Sequence, residues 1–232
     1  MAEVAARDAR LAALVERNGI PPVWSREPGF ATLVLFILEQ QVSLESARAA
    51  FAKLEEAAGP VAPASFLTLD DARLRTVGFS RQKARYCRDL AAALVDGTLD
   101  LAVSELDDVA VHDRLLGIRG VGPWTAGCYE LFVLGRVDAW PTGDRALYVA
   151  MRDALQLDDV PSAAAGDELA GRWRPLRAVA ARVLWHDYLA RRGRDLHDRS
   201  AEPVGTTQAA EHAAGGTAAE DTDERLSVVR DH

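Results

Sequence analysis

The stretch Leu115-Leu116-Gly117-Ile118-Arg119-Gly120-Val121-Gly122-Pro123-Trp124-Thr125-Ala126 constrains the fold more than any other part of the chain. Apolar residues over Asp108–Leu116 recur at helical spacing, Gly120 and Gly122 permit a tight turn, and Pro123 suits the first position of a second helix running to about Leu134. The segment predicts a helix, a hairpin and another helix. Asp144, which follows Trp140-Pro141-Thr142-Gly143, opens a further helical pattern.

The same 3.6-residue pattern recurs through residues 1–198, and alternating β-branched runs are nearly absent. Helices are expected over Val4–Arg17, Gly29–Gln40, Leu44–Ala58, Leu69–Thr76, Arg81–Asp96, Asp108–Leu116, Pro123–Leu134, Asp144–Ala154, Gly166–Trp173 and Leu176–Arg191. Gly19-Ile20-Pro21-Pro22, Gly59-Pro60, Gly97 and Gly193 break the pattern between or after them. The fold class is all-α, with no fixed-period repeat of the kind a solenoid needs. At 232 residues and 49% hydrophobic, the chain can bury one substantial core or two small helical subdomains sharing one. Residues 199–232, rich in Ala, Gly, Thr and acids, read as a disordered tail following a domain of residues 1–198.

Charge and composition narrow the function. Phe30–Leu38, the longest apolar run, falls short of the roughly 20 residues that span a bilayer, and Ala2–Asn18 is too charged for a signal peptide. A cytoplasmic location is expected. Cys87 and Cys128 are the only cysteines and the five histidines show no ligand spacing, so neither a zinc site nor an iron–sulfur cluster is expected. The net charge of −8 argues against binding nucleic acid by charge alone. Residues 201–232 carry seven acids against two arginines, −5, leaving only −3 on residues 1–200. A near-neutral body can still hold phosphates through backbone N–H groups.

The hairpin offers that chemistry. Consecutive N–H groups at a helix start point outward, and glycines let a phosphate approach without side-chain obstruction. A Gly-rich link between two packed helices would look the same. Asp144 reads as an N-cap, a place that favours the carboxylate anion, and such an anion beside a deoxyribose can stabilise an oxocarbenium-like cation and orient the attacking water. Arg81, Gln82, Lys83, Arg85 and Arg88 form a polar run that reads equally as a phosphate contact or a solvated helix face.

With these features the chain resembles the helix-hairpin-helix (HhH-GPD) DNA glycosylase superfamily, and within it the bacterial AlkA-type 3-methyladenine DNA glycosylase II group. Ile37-Leu38-Glu39-Gln40-Gln41-Val42-Ser43 is similar to the family's I-L-x-Q-x-V-S segment, and Leu74 to Ala84 to its L-x-x-x-G-x-x-x-x-K-A/T segment. Arg172-Trp173-Arg174-Pro175-Leu176-Arg177, followed by Trp185, resembles its closing R-W-x-P-x-R…W pattern. The matches run in family order over roughly residues 30–192.

The resemblance implies two helical subdomains flanking a DNA-binding cleft, with Asp144 catalytic and Trp124, Trp185 and Cys128 at the pocket for an extruded base. It implies phosphate contacts from Gly120, Val121, Gly122 and Thr125, a wedge at Gln41, and a monovalent cation at the Ile118 and Val121 carbonyls. Read singly, Trp124 and Trp185 could be core aromatics, and Gln40 and Gln41 the solvated end of an apolar helix. In strand-cleaving relatives such as endonuclease III the slot of Trp124 holds a Schiff-base lysine; here the only lysines are Lys53 and Lys83, outside the hairpin. A monofunctional enzyme that releases alkylated purines (3-methyladenine, 7-methylguanine) from double-stranded DNA is expected, a monomer needing no cofactor and acting on the bacterial nucleoid. A noncatalytic protein for damaged or branched DNA, and a glycosylase for deaminated or oxidised bases, are the competing readings. Relative to the longer AlkA-type proteins the chain lacks room for their N-terminal sheet domain, and Cys128 stands where an aromatic could have walled the pocket.

Overall fold

The computed structural model describes residues 2–193, which form twelve α-helices and one 3₁₀ turn with no strand among the described residues. The helices are α1 (Ala2–Arg7), α2 (Ala9–Asn18), α3 (Phe30–Glu39), α4 (Leu44–Ala58), α5 (Pro63–Leu67), α6 (Asp71–Thr76), α7 (Arg81–Val95), α8 (Asp108–Leu116), α9 (Pro123–Phe132), α10 (Arg145–Leu155), α11 (Ala163–Ala170) and α12 (Arg177–Ala190). The expected tail, residues 199–232, lies outside the described residues. No helix among the described residues is long and apolar enough to cross a membrane.

Most helices begin where a side chain can accept an orphan N–H group. Asp8, Ser43, Asp70, Ser80, Asp107, Asp144 and Ser162 each do so. Three expectations are corrected. The single helix expected over Val4–Arg17 is two, broken at Asp8. One oxygen of that residue caps Arg10 N–H at 2.9 Å while the other takes the Trp173 indole N–H at 2.8 Å. A tertiary partner 165 residues away holds the break. The helix expected at Gly166–Trp173 starts earlier, behind Ser162, and tightens into a 3₁₀ turn over Gly171–Trp173. Helix α5 lies in a stretch for which no helix was expected; it is too short for a periodic signal, and starts at Pro63 with Ser65 Oγ accepting the Ala62 N–H at 3.1 Å.

The helices sort into two apolar clusters. The first gathers α3 to α9 around Leu33, Phe36, Phe51, Phe66, Leu74 and Leu115. The second joins α1 and α2 to α10, α11 and α12 around Leu11, Leu147, Met151, Trp173 and Leu184. The start of the chain thus packs with its later helices. Helix α9 serves both: Cys128 and Tyr129 belong to the first cluster, Leu131 to the second, and Phe132 packs against each.

Candidate active site

Asp144 lies where the clusters meet. As N-cap of α10, it accepts the Leu147 N–H on Oδ1 at 2.8 Å. The same oxygen takes the Trp185 indole N–H at 3.2 Å, and Oδ2 takes the Trp124 indole N–H at 2.9 Å. Trp124 comes from α9 beside the first cluster and Trp185 from α12 beside the second. Two of the residues singled out in the sequence, Trp124 and Trp185, are therefore hydrogen-bonded to a third, Asp144. Two indoles and a helix terminus aim N–H dipoles at one carboxylate, an arrangement suited to an anion.

The loop leading to Asp144 is held by residues that sequence reasoning missed. Gly143, at φ +87°, donates its N–H to the Tyr148 hydroxyl at 2.6 Å, and that hydroxyl donates to Asp167 at 2.8 Å. The Trp140 indole N–H reaches the same Asp167 oxygen at 2.8 Å. Burial, chiefly, pushes the Tyr148 phenol up to about 12, and the neighbouring Asp167 carboxylate adds to the rise, so Tyr148 is a donor throughout the neutral range. Gly127 lets α9 press on the loop from the other side, since a Cβ there would lie 2.5 Å from the Trp140 carbonyl oxygen. None of these contacts carries a local sequence signal.

The hairpin links α8 to α9 through a turn in which Val121 N–H donates to Ile118 C=O at 3.0 Å. Its two glycines differ. Gly120 has φ +90° and a Cβ there would meet the Tyr86 ring at 2.5 Å, whereas Gly122, the N-cap of α9, faces open space. Helix geometry leaves the Trp124 and Thr125 N–H groups beside Gly122 without an intrahelical acceptor, and Pro123 has none to offer. The Thr125 side chain is not presented to solvent: it is buried and accepts a hydrogen bond from Gln40 Nε2 at 2.9 Å, so its hydroxyl ties α3 to the hairpin and is not offered to a phosphate. Gln40 Nε2 also donates to Gly120 C=O at 2.9 Å.

Gln41 is exposed between α3 and α4 at φ +60°, a left-handed conformation uncommon for a residue with a side chain. Lys83 clamps the end of α3 just before it, donating from Nζ to the Leu38 and Gln40 carbonyls at 2.8 Å each. Arg88 is likewise engaged internally, with Leu69 C=O and Asp71. Neither whole-face reading of the polar run therefore holds for these two residues; Arg81 and Arg85 are its exposed arginines.

Cys128 does not stand at a surface. It is 2% exposed, packed in the first cluster, and burial followed by the nearby charges of Asp144 and Glu39 raises its thiol well above the ordinary range. Instead of a wall residue it lies beneath the site, as a neutral thiol. The aromatic surroundings come from Phe36 and Phe132, which the sequence offered only as apolar helix positions. Phe36 meets Trp124 edge-on at 6.4 Å, and Phe132 stacks on Trp185 at 5.3 Å. Among the described residues no group of three or more His, Cys, Asp or Glu side chains is placed to hold a metal ion.

The sequence profile of the HhH-GPD superfamily base excision DNA repair proteins matches residues 34–175. A Bacillus subtilis protein provisionally named a DNA-3-methyladenine glycosylase is 36% identical over 126 residues, 53% of this chain and 43% of that protein. An endonuclease III from Sulfolobus acidocaldarius is 38% identical over 102 residues, 42% of this chain and 44% of its own length. The chain thus spans about half the length of these curated relatives. The crystal structure of a Bacillus halodurans DNA-3-methyladenine glycosidase superposes with a TM-score of 0.67 at 28% identity, covering 80% of this chain and 87% of that one.

Proposed function

The chain belongs to the HhH-GPD superfamily of base excision DNA repair proteins, and from that premise we propose that it is a monofunctional DNA glycosylase releasing alkylated purines from duplex DNA. The observation that carries the reading is the pair of indole N–H bonds converging on Asp144. They fix both half-buried rings by their edges; Phe132 stacks on one face of Trp185, and the base is proposed to stack on the indole surface that remains. Alkylation at N3 or N7 makes a purine cationic, which weakens its glycosidic bond and strengthens its attraction to indole faces. Extruding it costs a few kcal/mol, offset by stacking on Trp124 and Trp185 and by Gln41 filling the vacated stack.

As the base leaves with the bonding pair, positive charge develops on the deoxyribose, and Asp144 is the anion that stabilises it and orients the incoming water. Tryptophan occupies position 124 in place of an amine, the amine of Lys83 is bonded to two carbonyls at the end of α3, and Lys53 lies on α4, outside the hairpin. The product is an intact abasic strand. The phosphate backbone is gripped by the N–H groups of Gly120, Gly122 and Thr125, the Val121 N–H expected to join them being held by Ile118 C=O. A monovalent cation at the Ile118 and Val121 carbonyls would add charge there; Ile118 C=O accepts one N–H and keeps a second lone pair. The proposed setting is the bacterial cytoplasm, on nucleoid DNA, with the protein acting as a monomer.

The test is mass spectrometry of bases freed from methylated DNA. Wild-type protein is expected to release 3-methyladenine and 7-methylguanine. Asp144→Asn, which keeps a capping residue, is expected to bind the DNA yet release bases at least about a hundredfold more slowly. Release of only hypoxanthine or uracil, or full activity in D144N, overturns the reading.

A further inference from the structure

Arg26 and Glu39 form a buried ion pair that the proposed mechanism does not use. Arg26 Nη2 lies 2.8 Å from Glu39 Oε1 and Nη1 3.3 Å from Oε2, and the two side chains are 16% and 3% exposed. Burying such a pair is costly, and an apolar pair of similar volume often serves stability as well. Its position suggests another use. The Arg26 guanidinium sits 4.6 Å from the centre of the Phe36 ring and 5.9 Å from that of Phe132. These are the rings that contact Trp124 and Trp185. Arg182 brings a second guanidinium to 5.5 Å from Phe132, donating to the Trp24 and Leu131 carbonyls. Cys128, one turn from Trp124, is acted on by the charges of Asp144, Glu39 and Arg26 together, so these groups share one neighbourhood.

Resting on the glycosylase reading above, we propose that Glu39 is a specificity-determining residue: it cancels the Arg26 charge behind the Phe36–Phe132 layer, so that the tryptophan site accepts a cationic base. A guanidinium cannot shed its proton, and a positive charge one ring away opposes a second cation across that ring. Without Glu39 two unneutralised cations would back a site meant for a third. The paired carboxylate removes that opposition without touching the base.

Charge makes the two halves of the pair unequal under substitution. Glu39→Gln leaves Arg26 charged and adds a net positive charge to the site. Arg26→Gln removes the positive charge that Glu39 cancels, so no Arg26 cation is left to oppose the base. Single-turnover release of 7-methylguanine from a duplex separates the cases, with thermal unfolding recorded alongside. E39Q is expected to be slower by about tenfold or more, from a charge acting through the aromatic layer. R26Q and the double variant are expected within about threefold of wild type. Equal losses in E39Q and R26Q, or no loss in E39Q, overturn the proposal and leave the pair a packing element. Should E39Q fail to fold, Glu39→Met, which also leaves Arg26 uncancelled, takes its place: a tenfold loss there beside a retained rate in R26Q supports the proposal, and equal rates overturn it. A wild type that releases neither 3-methyladenine nor 7-methylguanine but binds the duplex overturns the glycosylase reading itself, and this inference with it.

Discussion

A Cβ on Gly120 would stand 2.5 Å from the Tyr86 ring, on a backbone at φ +90°, whereas one on Gly122 would meet nothing within 4 Å. The first glycine is therefore required by the fold and the second by whatever approaches from outside. Gly120→Ala is expected to cost about 2–3 kcal/mol, from left-handed backbone strain and displacement of the ring, read as a fall in the unfolding midpoint. Gly122→Ala is expected to change stability by less than about 1 kcal/mol while weakening DNA binding, because its methyl group stands where a phosphate would approach. Equal losses of stability in the two variants would refute this division. Asp144 shows the same layering within one side chain. Its cap on Leu147 is a structural bond any N-cap makes; two indole N–H groups, where the acidic cap Asp8 takes one from Trp173, are what distinguish it.

Helices α4 and α8 begin and end where apolar spacing, the caps Ser43 and Asp107 and the following glycines put them, because those signals act within a few residues. Legibility fell with distance. Asp8 breaks a helix for the sake of Trp173, and the Asp144 loop depends on Asp167, whose partner Trp140 lies 27 residues away. Phe36 and Phe132 look like any core position in sequence, and Glu39 like a polar residue in an apolar run. Only family motifs pointed to Trp124 and Trp185, since aromatics at helical spacing are otherwise core. Between elements, Lys83 of α7 is the clamp on the end of α3 that carries Gln41. Lys83→Met is expected to lose about 1–3 kcal/mol of stability from two charged hydrogen bonds. Its sharper effect should be on base extrusion, followed by 2-aminopurine fluorescence beside a lesion; extrusion at the wild-type rate would show that the clamp does not set the wedge.

At the scale of the whole molecule, the negative charge is concentrated in residues 201–232, which carry −5 of the total −8. A chain ending at Ser200 is expected to bind DNA more tightly at about 10 mM salt, where charges act over about 30 Å, and to match the full chain at about 1 M, where they act over about 3 Å. Titration of labelled duplex at both salt concentrations checks this, and an advantage that persists at high salt would mean the segment acts by something other than charge. The two apolar clusters also differ in how the chain reaches them. The first is built from consecutive helices, whereas in the second Leu11 and Leu14 of α2 are buried with residues of α10 and α12, and Asn18 reaches Asp187 across 169 residues. During synthesis the apolar face of α2 therefore emerges well before α10 and α12, and is covered only after the hairpin and the whole first cluster have left the ribosome. Assembly of the half that holds Trp185 is thus timed by α12, and until it arrives Asp144 lacks one of its two indole partners.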